Sequence, residues 1–525
     1  MPDRRRDLLL LFGLALAVRL LTALPIHQPG YTDACYYATG ARQIYEGQGF
    51  VEPFIWNYLD PPDAIPHPGY QYWMPLPALL GGLGMWLLGD AFFAMQLPFI
   101  LLSALLPLVA YTVAWDLTSQ RKHALLAGLL AVFPGFFGLV FVLPETFAPY
   151  ALAGSVCLWA AGRGLRDRRS LWFGLSGLAA GFGHLARADG ALLAGVALLA
   201  AALPAFEGLA RRGRPQAAAR SMALVVLGYL LVMGPWFIRN WPTFGTPLSS
   251  AGTKTMFLTV YDDLFAIDAP LTLQNYLAWG LGPILGSKWD ALLLNLKRVW
   301  AENLMIVLLP FTGLGLWRLR RKRLLWPFFL YASLLFTAMT LIFTFPGQRG
   351  ALYHSSAAWL PFLYAAAGPG LEAVVRWAAR RFKGWYANRA WRVFASGLVV
   401  IALFVTLFGL GRSGVLNGQI NEKGQPYAQV GDWLAEHGAG EAIVMVGDAP
   451  AFHWYTGHLA VAIPNEPLDT ILAVAGRYGA RYLVLDGSRS RPTDELYEGQ
   501  ASHPRLTLRQ TIDGDEPTLL FEAQP

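Results

Sequence analysis

Long uncharged apolar runs separated by short basic clusters dominate this sequence, and no other feature restricts its fold as strongly. Stretches such as 93–115 and 393–411 hold no ionisable acid or base, and each is close to the roughly 20 residues that cross a hydrocarbon layer about 30 Å thick. Between the runs lie Arg4, Arg5 and Arg6, then Arg121-Lys122 and the basic stretches 163–169, 211–220, 318–323 and 376–392. Lipid tails accept apolar side chains and penalise ionised ones, so a bilayer explains both features at once. Composition agrees: of 525 residues, 55% are hydrophobic and 14% charged, against about 25% charged in soluble domains. The formal charge of +7 does not point to nucleic acid, because the basic residues sit in short loops and no recognition motif accompanies them. Cys35 and Cys157 are too few and too ill-spaced for a disulfide framework or a zinc site.

Placing the basic clusters on the cytoplasmic side fixes the topology. The basic start and the apolar run 8–24 resemble a signal sequence, but without a small-residue cleavage site they read as a first transmembrane helix. Residues 74–88 are apolar but too short to span. If they crossed, every later basic loop would fall outside, so they are expected to lie at the interface, with Trp73 and Trp86 at headgroup level. Further spans are expected near 93–115, 124–143, 148–162, 171–186, 190–206, 220–238, 301–317, 324–345, 352–375 and 393–411. The expected fold is a polytopic α-helical membrane protein with about eleven spans plus juxtamembrane helices. Its N-terminus would be cytoplasmic, in the inner or plasma membrane. From Arg412 the tail turns polar, and helices alternate with the short apolar strands 442–446 and 482–485. This predicts a membrane domain over 1–411 and a small extracytoplasmic α/β domain over 412–525.

On this topology several chemically capable residues share the extracytoplasmic face. Asp33 follows the first span on a segment that reads as helical to Tyr45 and stops at Gly47 and Gly49. Glu145, in Leu143-Pro144-Glu145-Thr146, interrupts two apolar runs on the same side. Either carboxylate can be a helix-start acid favoured by the dipole. Together they can activate a hydroxyl and hold a second hydroxyl or a divalent cation. His67, Arg187, Arg239, Arg349 and His354 also fall on this face. Any one of them can be a snorkelling anchor, but as a group they run against the positive-inside bias and suit a lipid-linked phosphate. Asp262-Asp263 reads as a solvated turn.

In the order and sidedness of these residues the chain resembles the GT-C superfamily of integral-membrane glycosyltransferases. It is most similar to the branch holding protein O-mannosyltransferases and lipid A aminoarabinose transferases, over roughly 1–410. Asp33 matches the Asp of that branch's Asp-Glu pair, with Ala34 in place of the Glu. His67-Pro68-Gly69-Tyr70 resembles its His-Pro-Pro-like motif, with Gly69 for the second Pro. Glu145 stands where Asp is commoner, and Arg187 and Arg239-Asn240 match basic positions after later spans. The resemblance implies sugar transfer from a polyprenyl-phosphate donor to an extracytoplasmic lipid, glycan or protein acceptor, with inversion. Asp33 would be the base, and Glu145 would orient it or a divalent cation. His67, Tyr70, Arg187, Arg239, Arg349 and His354 would bind substrate. The competing expectation is a transporter or lipid flippase, which would gather its ionisable groups near mid-membrane and often show inverted repeats; no repeat is visible here. A non-catalytic relative is the other competitor, and Ala34 is its best argument.

Overall fold

The computed structural model describes residues 2–206, 214–249, 251–267, 269–514 and 516–524. It is mostly helical, with a sheet-containing region near the C-terminus. Among the described residues five helical stretches are long and apolar enough to cross a membrane: Phe92–Thr118, Pro215–Phe244, Arg323–Ile342, Thr344–Arg381 and Ala387–Arg412. Shorter apolar helices accompany them at Leu76–Leu88, Leu171–Ala186 and Ala188–Leu203. Leu227, Leu231 and Ile238 on one outer helix and Val400, Phe404 and Phe408 on another stay exposed, as lipid-facing surface would. Inside, small residues let backbones approach closely. A side chain at Gly315 would overlap the Ala366 carbonyl and one at Gly370 the Phe311 carbonyl, so Leu309–Leu319 and Leu360–Arg381 cross at that pair.

Ion pairs gather the basic clusters at one end of the helices. Arg121 forks onto Asp7 with two 2.7 Å bonds, Arg163 meets Asp116 at 3.0 Å, and Lys122 meets Glu372 at 2.9 Å. The basic stretch 211–220 lies partly outside the described residues. Pro2–Ala23 and Phe92–Thr118 thus lead away from this end and back to it, and Leu76–Leu88 packs on Thr32–Tyr45 and Phe92–Thr118. Trp86 is exposed at its end, but Trp73 is not a headgroup anchor: it packs on Tyr36, Tyr37 and Trp56.

Two expected spans are interrupted. The helix Arg121–Val132 has 12 residues, about 18 Å at 1.5 Å per residue, too short to cross. Pro134 and Gly135, the latter at φ 63°, end it, and 133–146 continues as buried turns. Its last carbonyls are not orphaned: the fully buried Arg19 donates to Val132 O at 3.0 Å and Ala131 O at 3.2 Å. Likewise 301–317 is broken: a wide turn at Val299–Asn303 and left-handed Met305 and Ile306 precede Leu309–Leu319.

The C-terminal region is built on a six-stranded sheet that takes one strand from the first loop. We number the strands β1 (Val51–Glu52), β2 (Phe54–Ile55), β3 (His67–Pro68), β4 (Ile443–Val446), β5 (Ala460–Ala462), β6 (Ala480–Leu485), β7 (Leu506–Ile512) and β8 (Thr518–Ala523). β1 and β3 form a small antiparallel pair, and the large sheet runs β2-β5-β4-β6-β8-β7. β2, β5, β4 and β6 are parallel, β8 pairs antiparallel with β6, and β7 pairs antiparallel with β8 as a hairpin. Helices Ala449–Thr456 and Leu468–Tyr478 make the crossovers, the second burying Ile471, Leu472, Val474, Ala475 and Tyr478. Further bonds tie this region to the first loop, including Tyr58 Oη to Ala462 O at 2.5 Å, Tyr478 Oη to Pro62 O at 2.7 Å and Trp454 Nε1 to Gln28 Oε1 at 2.9 Å.

Candidate active site

At the end opposite the ion-paired basic clusters, three chain-distant segments bring Asp33, Glu145 and His354 together. One donor atom of each lies within 4.8 Å of the others. Asp33 sits in the first turn of Thr32–Tyr45, where the helix dipole favours a carboxylate. Glu145 precedes Phe147–Asp167, and its Oε2 accepts the Phe147 amide at 3.3 Å. It therefore takes up the first amide of that helix while its Oε1 meets His354 Nδ1 at 3.2 Å. His354 follows a kink at Gly350, whose φ of 133° only glycine holds without strain. Its ring stacks on Phe147 at 4.0 Å, and Nδ1 also contacts Thr146 Oγ1 at 2.9 Å.

Exposure separates the roles open to the three. The side chain of Glu145 is 0% exposed, that of His354 15%, and that of Asp33 31%. Asp33 is the group a substrate can reach. Desolvation, then the Glu145 charge, push the Asp33 carboxyl up to about 6, with His354 and Arg187 opposing. It is thus still ionised at neutral pH but more basic than a free carboxylate. Two carboxylates and an imidazole are also a donor set that suits a divalent cation.

Arg187 lies beside the cluster, held by Asp189 at 3.1 Å and Ser355 Oγ at 3.0 Å. Ser355 in turn donates to Asp189. Arg349 stands over the Tyr261 ring at 4.6 Å and has no ion-pair partner among the described residues. Tyr261 lies within electrostatic reach of Asp33 as well. His67, Tyr70 and Arg239 are engaged elsewhere. His67 faces Glu52 at 3.7 Å and Phe54 O at 3.1 Å. The Tyr70 amide donates to Glu52 at 2.6 Å. Arg239 donates to Gly69 O at 3.2 Å and Phe50 O at 3.3 Å and stacks on Trp236. These three brace the first loop. Asp262-Asp263 lies on a turn in which Asp263 accepts from Thr259 Oγ1 at 3.0 Å.

Sequence reasoning missed Thr146, Ser355 and the pair Arg298 and Glu302. Glu302 is coupled electrostatically to both Arg298 and His354, and Arg298 Nη1 and Glu302 Oε2 are buried without a hydrogen-bond partner. The signal available was weak: Lys297-Arg298 sits among apolar residues on the non-basic face, where a cation is costly unless used.

Comparison with known proteins agrees with the architecture. The family model of dolichyl-phosphate-mannose-protein mannosyltransferases matches residues 67–241, a stretch that holds Glu145 and Arg187. No curated protein sequence matches the chain. Among solved structures, the Archaeoglobus fulgidus oligosaccharyltransferase in complex with zinc and sulfate is similar at TM-score 0.57 and 13% identity, over 91% of this chain and 68% of that one. ArnT from Cupriavidus metallidurans is similar at TM-score 0.54 and 15% identity in its apo state, over 98% of each chain. Bound to undecaprenyl phosphate it gives 0.52 and 16%, over 98% of this chain and 99% of that one. In the family match over 67–241 and in overall fold, this chain is similar to GT-C integral-membrane glycosyltransferases.

Proposed function

We propose that the protein transfers a sugar from a polyprenyl-phosphate carrier to a hydroxyl of an extracytoplasmic acceptor, inverting the anomeric carbon, with Asp33 as the base. The observation that carries this reading is the meeting of Asp33, Glu145 and His354 at the end of the helices away from the basic clusters. That end would face out of the cytoplasm under the positive-inside rule, in a plasma or inner membrane crossed by about eleven spans. A transporter would gather its ionisable groups nearer mid-membrane.

Asp33, the most exposed of the three, would take the acceptor proton as the hydroxyl attacks the anomeric carbon from the face opposite the phosphate. Glu145 and His354 hold each other and fix the site around Asp33. A divalent cation bound by these three would supply charge for the departing phosphate. Arg298 and Arg349 are the phosphate partners the geometry favours, since neither has an ion-pair partner among the described residues, whereas Arg187 is committed to Asp189. That ArnT from Cupriavidus metallidurans binds undecaprenyl phosphate supports a lipid-phosphate donor.

The test is release of polyprenyl phosphate from radiolabelled polyprenyl-phosphate monosaccharides by the purified protein in lipid, with envelope extract as acceptor. Asp33→Asn should lower the rate by about 10²- to 10⁴-fold, the usual worth of a general base, while leaving the protein inserted and folded. Near-normal turnover in that variant would remove Asp33 from the mechanism.

A further inference from the structure

The parallel part of the C-terminal sheet has a topological switch point. β4 connects through Ala449–Thr456 to β5 on one side, and the next crossover returns past β4 to β6 on the other. Open α/β sheets bind ligands in the crevice left at the carboxyl ends of such strands. Here β4 ends in Gly447-Asp448 and β6 in Asp486-Gly487, and both aspartates line a cavity of about 230 Å³. At roughly 30 Å³ per water that is space for about eight waters, comparable to what one sugar ring displaces.

The lining selects a ligand class. Asp448, Asp486 and Glu516 share the lining with Lys423, so carboxylates outnumber the ammonium group and an anionic ligand would be repelled. Carboxylates accept from hydroxyls, and Tyr427 adds an aromatic wall, its hydroxyl fixed on Asp486 at 2.5 Å. Glu516 and Lys423 have no hydrogen-bond or ion-pair partner among the described residues, so their polar atoms are free to take one.

The cavity also touches the candidate active site. Tyr31 lines it, and the Tyr31 hydroxyl, buried without a hydrogen-bond partner, lies within electrostatic reach of Glu145 and Asp33. Thr32 Oγ1 donates to Asp448 Oδ2 at 2.6 Å, so the two residues before Asp33 form the wall between crevice and cluster. We infer that this crevice is a saccharide-binding subsite, taking a neutral, hydroxyl-rich sugar of the acceptor and presenting its free end past Tyr31 to Asp33. The acceptor assignment rests on the transferase reading above, but binding of the sugar does not require turnover.

The test uses the full-length protein in lipid nanodiscs and saturation-transfer difference NMR with methyl glycosides of glucose, mannose, galactose and N-acetylglucosamine. At least one glycoside should bind wild type and Asp33→Asn alike, and bind about tenfold more weakly to Asp486→Asn and Glu516→Gln, as loss of a charge-assisted hydrogen bond predicts. Glu516 is exposed, so its variant reports even where Asp486→Asn fails to fold. The inference is overturned if no glycoside binds wild type, if the folded crevice variants bind as wild type does, or if Asp33→Asn abolishes binding. None of these outcomes bears on donor-phosphate release, which tests the transferase reading separately.

Discussion

Arg19→Met tests whether a charge inside the first helix supports the backbone that leads to the cluster of Asp33, Glu145 and His354. Asp7 and Arg19 are 12 positions apart on Pro2–Ala23, about 18 Å along the axis. That equals the length of Arg121–Val132, which lies alongside. Asp7 clamps its first residue and Arg19 its last two carbonyls. Beyond Val132 the chain runs as buried turns to Glu145, where non-helical backbone is tolerable only because protein satisfies it. Each bond from a charged donor contributes about 1.5–3 kcal/mol, so losing both costs about 3–6 kcal/mol. Burying Met instead of a guanidinium returns part of this, which leaves a net loss of about 2–4 kcal/mol, or roughly 30- to 1,000-fold in the unfolding equilibrium. Denaturation of the purified protein in bicelles, followed by tryptophan fluorescence, measures it. Arg19→Lys should fall between wild type and Met, because one ammonium can reach only part of the paired carbonyls. An Arg19→Met midpoint equal to wild type, or a Lys variant less stable than Met, would refute the argument that this arginine caps the half-span.

Two further outcomes follow from the site and its wall. Manganese titrated into the wild-type protein should bind and broaden in its EPR spectrum, and Glu145→Gln or His354→Ala should weaken that binding at least tenfold, as loss of one of three ligands requires; equal binding by all three proteins would show that the cluster holds no cation. Asp448, raised by desolvation to about 6 from 3.8, should make the C-terminal region less stable as pH rises. The folded carboxyl keeps its proton where the unfolded one has lost it, so stability is fully present below about 4 and is lost by about 6, at most about 3 kcal/mol. Asp448→Asn keeps an acceptor oxygen for Ala451 N, turns an amide donor toward the Thr32 hydroxyl, and should remove that decline in protease-resistance profiles; parallel profiles for the two proteins would refute the assignment.

What could be read from the sequence was whatever the bilayer penalises. A lipid environment sorts charge by side, so the alternation of apolar runs and basic clusters carried enough information to put Asp33, Glu145, Arg187, Arg349 and His354 on one face, and Asp33, Glu145 and His354 do meet. Sidedness does not resolve partners within a face. His67 and Arg239 looked equivalent to Arg349 because each is a cation beyond a span. What distinguishes them is a carboxylate or backbone carbonyl across a folded loop, at Glu52, Gly69 and Phe50, and no local pattern encodes a carbonyl's position. The interrupted spans were hidden for a related reason. Hydropathy over 124–143 is continuous, and only the pairing of Arg19 with Ala131 and Val132, more than a hundred residues away in sequence, shows that the helix can stop inside the apolar layer.

The division at 411/412 was drawn where composition changes, and the hydrogen bonds cut across it. β2 comes from the first loop yet pairs with β5 in parallel, Phe54 opposite Ala460 and Ile55 opposite Val461. A two-residue strand cannot hold itself in extended form, since such pairing has to be supported by a larger sheet, so the loop's structure depends on the tail. The dependence reaches the chemistry through one short path. β4 ends at Asp448, Asp448 accepts from Thr32, and Thr32 begins the helix that carries Asp33 in its first turn. A tail that only covered the cluster would need no hydrogen bond to the residue beside Asp33. This one fixes the start of the Asp33 helix and lines its own crevice with the same residues, so under the proposed mechanism acceptor recognition and orientation of Asp33 would be coupled through Tyr31 and Thr32.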